Sequence, residues 1–196
     1  NRTFQRVQKL NHFEEEKVFI QWLNAETYFS GGEIADSIPY YFNILNTKFR
    51  EKALIQIGKG YFFENKFREA ITNLDILLLE FPNSQYLEES FFIKGECLAK
   101  LENRSPAVET YELILRQNKN NVWQLFALME IGSLHVLENE PDRAENAFKK
   151  VMEELPNHPL SYHPALQLGN LNFNKNDTVQ AAHYHSLAPK GNTPQL

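Results

Sequence analysis

The sequence predicts an all-α solenoid of about five helical hairpins, and three observations predict it. Glycines at 58, 95, 132 and 169 follow one another at intervals of 37 residues. An alanine stands twelve residues after each of them, at Ala70, Ala107, Ala144 and Ala181, with Leu74, Tyr111, Phe148 and His185 four residues further on. Apolar residues recur at three- and four-residue spacing from Ala53 to Phe63 and again from Ala70 to Leu78, so each period holds two helices rather than strands. A fixed period between about 20 and 50 residues marks a chain of stacked supersecondary units.

The elements follow in order. Residues 1–13 carry Phe4, Val7, Leu10 and Phe13 at steps of three, which predicts an N-terminal amphipathic segment or an extra helix. Residues 14–188 form the repeat array, with hairpins near 18–49, 51–84, 88–121, 125–158 and 162–188. The first of these is divergent. It has Ala25 in place of the glycine, Gly32 at the turn and Ser37 for the alanine, then Tyr41 and Ile44, at an offset of 33 residues. Asn65, Asn139 and Asn176 share one position between the paired helices, where asparagine tolerates the left-handed conformation that ends a helix. Ser105-Pro106 and Glu140-Pro141 read as starts of second helices. Gly60 has no counterpart in the other copies. Residues 189–196 form a C-terminal tail interrupted by Pro189, Gly191 and Pro194, too short to cap a terminal repeat. That leaves more chain, or a second copy in a homo-oligomer, to cover the last hairpin.

This pattern resembles the tetratricopeptide repeat. Leu54, Ile57, Gly58 and Tyr61, then Ala70, Leu74 and Pro82, match that family's positions in register. Leu128, Ile131, Gly132, Ala144, Phe148 and Pro156 match again, while Lys119 and Thr193 replace the proline in two copies. The resemblance runs from Val18 to Ala188. It implies a right-handed α-α superhelix in which the first helix of each pair lines the concave face, and a non-enzymatic scaffold that binds another protein. The period exceeds the family's usual length of about 34 residues, and such lengthened repeats are similar to those of bacterial cell-envelope members. The setting this suggests is the periplasm or the outer membrane, with the cytoplasm as the alternative. Chain start at Asn1 is consistent with a processed or excised segment.

Carried over position by position, the resemblance places Trp22, Ile55, Phe92, Met129 and Leu166 on one row of the groove. Phe29, Phe62, Ala99, Val136 and Phe173 form a second. Phe63 and Phe126 extend this apolar surface, and Lys59 and Glu96 flank it with charge. A contiguous apolar surface with a polar rim suits a helical or extended peptide segment of a partner, with the aromatic residues as anchors. Other readings stand beside it. The rows are core if the array curves tightly, the N-terminal segment folds back into the groove, the array closes around a lipid or small apolar ligand, or the chain is the targeting arm of a larger protein.

Several functions are disfavoured by the residues themselves. A net charge of -5, with 20 Lys and Arg scattered among 25 Asp and Glu, offers no basic face for nucleic acid. No apolar run is long enough to span a bilayer. Cys97 is the single cysteine, so no internal disulfide forms. Gly58-Lys59-Gly60 lacks the spacing of a phosphate-binding loop. His158, His163, His183 and His185 form no zinc pattern. The sequence therefore assigns no catalytic residue, metal or cofactor. The groove rows also lack the lysine and asparagine clamp with which chaperone-binding members hold a peptide carboxylate.

Overall fold

A computed structural model describes residues 2–117, 122–156 and 158–188, with side chains from residue 13 onward. Every regular element among the described residues is helical: α1 (Arg2–Ser30), α2 (Ile34–Phe42), α3 (Arg50–Phe63), α4 (Phe67–Glu80), α5 (Leu87–Lys100), α6 (Arg104–Leu115), α7 (Val122–Leu137), α8 (Pro141–Glu154), α9 (Tyr162–Asn174) and α10 (Thr178–Leu187). A single 3-10 turn, Pro159–Ser161, precedes α9. The chain forms two compact units, residues 1–107 and 108–196. The tail 189–196, Lys119 and the end of the third hairpin near 118–121 lie outside the described residues.

One turn geometry joins first helix to second in every hairpin. The carbonyls of Tyr28, Tyr61, Leu98, His135 and Asn172 accept from the N–H five residues later, on Glu33, Lys66, Asn103, Glu140 and Asp177, at 2.8–3.0 Å. Between them sits a residue with positive φ: Gly32 at 85°, Asn65 at 57°, Glu102 at 60°, Asn139 at 58° and Asn176 at 62°. This is the left-handed helix stop that satisfies the last carbonyls, and it is why asparagine recurs at that position. The second helix then starts from a fixed place. The N–H groups of Ser37, Ala70, Ala107, Ala144 and Ala181 reach back to the carbonyl four residues before, and all five side chains are buried. Pro141 occupies the first turn of α8, where its missing N–H costs nothing.

The recurring glycines make room for the second helix. A Cβ on Gly58 would lie 2.7 Å from Leu74 Cδ2, and one on Gly132 would lie 2.6 Å from Phe148 Cε1. At Gly169 it would collide with the His185 ring. The partner is in each case the residue sixteen positions on, so the sequence pairing of glycine with Leu74, Phe148 and His185 is a physical contact. Gly60 has its own reason: a Cβ there would stand 2.9 Å from Ile38 Cγ1, so α3 passes close to α2 of the preceding hairpin.

In the first unit Trp22, Ala25, Tyr41, Ile44, Ala53 and Ile57 pack as one cluster, and Leu54, Ile55, Leu74 and Leu77 as the next. In the second unit Ala144, Phe148, Leu168 and Leu171 form the corresponding core. Each fully buried Leu, Ile or Phe contributes about 1.5–3 kcal/mol through removal from water. The N-terminal end differs from expectation. α1 runs unbroken from Arg2 to Ser30, so residues 2–13 extend the first helix instead of forming a separate one. No fold-back into a groove occurs within that helix. Phe13 is 63% exposed, and the side chains of Phe4, Val7 and Leu10 lie outside the described residues.

Candidate interaction surface

The surface shared by the first helices of the first unit is built from one face of α3. Lys52, Gln56, Lys59 and Phe63 recur at steps of four, three and four, so they stand in one line along the helix. None of them is buried. Contacts tie this line to both neighbouring first helices. Gln56 Nε2 donates to Glu26 Oε1 on α1 at 3.3 Å, and Lys59 Nζ pairs with Glu89 on α5 at 2.5 Å. The Tyr41 hydroxyl donates to the same Glu26 oxygen at 2.9 Å. Burial, and then the Glu26 carboxylate at its hydroxyl, push the Tyr41 phenol well above its ordinary value. Lys52 Nζ lies over the Trp22 ring, 3.9 Å from its centroid.

Ile55 and Trp22 therefore do not line a groove. Ile55 is 1% exposed and belongs to a cluster with Leu54, Leu74 and Leu77, against which Tyr86 and Ile93 pack. Trp22 is 9% exposed, stacked on Phe49 at 5.6 Å and edge-on to Tyr41 at 5.9 Å. The physical reason is that a first helix inside the array has neighbours on two sides. Ile57 belongs to one cluster, and Leu54 and Ile55 to another against which Ile93 of the next hairpin packs. The accessible line lies one position further along, at Gln56, and it is largely polar.

At the C-terminal end of that line the surface becomes aromatic. Phe29 on α1 meets Phe63 edge-on at 6.3 Å, Phe63 meets Phe62 at 5.8 Å, and Phe62 meets Phe67 at 6.0 Å. Phe29 also meets Tyr41, at 6.3 Å. Phe63 is 55% exposed, while Phe29 and Phe62 are half-buried. Phe92 and Glu96 on α5 are half-buried as well.

The second unit holds the remaining expected residues. Phe126 is half-buried and meets Trp123 edge-on at 6.1 Å, and Met129 is half-buried. Val136 lies at the rim of a cavity of about 230 Å³ with Asn139, Pro141, Leu171, Asn174 and Lys175. Lys175 reaches Asp142 and Glu145 on α8, both at 2.7 Å. Hydrogen bonds from Lys149 and then Lys175 hold the Glu145 carboxyl below the usual carboxylate range.

A helical hairpin closed by the same left-handed turn five times, with a glycine beneath a large side chain in three of them, decides the architecture. The chain has the tetratricopeptide-repeat fold. Neither a protein-family model nor a curated protein matches the sequence. Solved tetratricopeptide-repeat structures do match in three dimensions. MamA from Desulfovibrio magneticus RS-1 gives a TM-score of 0.73 at 18% identity, covering 87% of this chain and 92% of that one. YrrB, described as a TPR protein with an unusual peptide-binding site, gives 0.65 at 21% identity over 84% of this chain and 80% of its own. PilF from Pseudomonas aeruginosa gives 0.70 at 16% identity, covering 88% and 75% respectively. No helix among the described residues is long and apolar enough to cross a membrane.

Sequence reasoning named Lys59 and Phe63 and passed over Gln56, which stands in the same line. The signal that finds it is the run Lys52, Gln56, Lys59, Phe63, the one line of α3 that never meets a buried position. Reasoning on histidines considered those near the C-terminus and passed over His135, which is 8% exposed at the end of α7.

Proposed function

We propose that the chain is a non-enzymatic scaffold that binds a segment of another protein on the face formed by α1, α3 and α5. The observation that carries this reading is Phe63, over half exposed and held edge-on between Phe29 and Phe62. A ring fixed by its neighbours loses little conformational freedom when a partner covers it, and aromatic anchors of this kind dominate protein interfaces. The Lys59–Glu89 pair and the Glu26–Gln56 contact supply a polar rim beside it. Such a surface suits an amphipathic segment with one apolar residue for Phe63 and polar groups that register against the lysines and glutamates. The peptide-binding site named for YrrB supports a peptide as the class of partner.

Peptides selected from a display library on the intact chain test this. Those peptides should bind Phe63→Asp at least about tenfold more weakly. The variant should keep its helical circular dichroism and melting temperature, because Phe63 is exposed. Equal binding to both proteins, with the fold intact, would place the partner elsewhere.

A further inference from the structure

We propose that the turn between α7 and α8 is a binding site for a divalent transition-metal ion, with His135, Glu138 and Glu140 as ligands. A ring nitrogen of His135 and one carboxylate oxygen from each glutamate lie within 4.8 Å of one another. A tetrahedral zinc ion with ligand bonds of about 2.0–2.2 Å needs its donors about 3.3 Å apart. Rotation of the exposed Glu138 side chain closes that gap.

Three observations point to a ligand rather than to an ordinary helix end. First, His135 is 8% exposed, and its Nδ1 is buried without a hydrogen bond. That nitrogen stands 2.7 Å from Glu140 Oε2, out of line for a bond between them. A buried polar atom left in this state costs free energy, and an ion shared with the carboxylate removes the cost. Second, Glu140 occupies the N-cap of α8 and, like Glu33 and Lys66 at the same place in the first two hairpins, makes no capping hydrogen bond, which leaves its carboxylate available, as Asp177, which caps Gln180 at 3.0 Å, is not. The Glu140 carboxylate turns toward His135 instead. Third, the other hairpins serve as controls, because the same turn forms with Tyr61, Leu98 or Asn172 where His135 stands. The fold thus demands neither the histidine nor the glutamates, yet His-x-x-Glu-x-Glu occurs here.

The donor set chooses the ion. One imidazole with two carboxylates suits Zn²⁺, Ni²⁺ or Cu²⁺, while Mg²⁺ and Ca²⁺ prefer all-oxygen shells. Water fills the remaining positions on the exposed side, where Glu138 lies. The site sits at the last turn of α7, where the negative end of the helix dipole favours a cation. Arg143, 69% exposed, reaches Glu140 Oε2 at 3.2 Å, a solvated contact that an incoming ion displaces. The bound ion staples the two helices of the fourth hairpin together.

Calorimetric titration of the full, tag-free chain with ZnCl₂, followed by the thermal shift it induces, tests the assignment. One ion per chain and a raised melting temperature are expected. His135→Gln should abolish the titration, and Glu138→Gln should weaken it at least about tenfold. Because Glu138 is exposed, its variant folds even if the change at His135 does not. Glu64→Gln, at the equivalent place in the second hairpin, and His185→Gln should leave binding unchanged. No zinc uptake would overturn the proposal. So would uptake that survives Glu138→Gln, or that disappears with His185→Gln.

Discussion

At the scale of single residues, the glycines show how one missing methylene sets the distance between two helices. Gly132 faces Phe148, which is fully buried and has nowhere to go, so a Cβ 2.6 Å from its ring must displace packed atoms. Gly132→Ala should therefore cost about 1–3 kcal/mol of stability. Gly169 makes the same approach to His185, but that ring is exposed, with a 3.2 Å contact to Asn170. There the ring swings into solvent. Gly169→Ala should be neutral or stabilising by up to about 1 kcal/mol, the helix-propensity difference between the two residues. Urea denaturation of the two variants checks both signs, and a large loss at Gly169 would contradict the account. The pattern thus fixes a contact, while burial of the partner decides what the contact is worth.

At the scale of elements, the turn is the best-determined feature. Glu102 adopts φ of 60° in the third copy, where the second, fourth and fifth use asparagine and the first uses glycine. Most side chains pay about 1–2 kcal/mol to enter that region, and asparagine pays less. Glu102→Asn should raise the melting temperature by several degrees, corresponding to up to about 1 kcal/mol. An unchanged or lower value in a thermal melt would show that the strain is relieved elsewhere. Much of this was legible in the sequence. The period and the asparagines announce the hairpins, because a turn that requires positive φ restricts its residue types wherever it recurs. The groove rows were legible only in part. α3 carries apolar residues on two sides, since Leu54 and Ile55 pack into one cluster and Ile57 into another. Apolar periodicity alone does not say which residues of such a helix are covered by a neighbour. Phe29, Phe62 and Phe63 keep a place at the surface because they sit near helix ends, beyond the reach of the next hairpin's core. Trp22 and Ile55 lie further back and are enclosed.

At the scale of the whole molecule, the two compact units give the buried thiol a use as a reporter. Cys97 lies in α5 of the first unit, fully buried, and burial followed by the Glu96 charge pushes its thiol up to about 12. At pH 8 only about one thiol in ten thousand is then the reactive thiolate. Alkylation by iodoacetamide should run at least about a thousandfold slower in the native chain than in urea, and should report the opening of the first unit. Rapid labelling of the native chain would contradict the packing around α5. The glycine contacts bear on a different matter, how such a chain changes length. Gly58 with Leu74, Gly132 with Phe148 and Gly169 with His185 each lie within one hairpin, so a 37-residue block cut between hairpins carries both halves of its own fit. In this one contact such a block is self-contained, although its core is shared with its neighbours. Gly60 is the exception, because its partner Ile38 belongs to the hairpin before it. The second hairpin is thereby keyed to the first, and a copy of it placed elsewhere would arrive with a notch and no tooth to fill it.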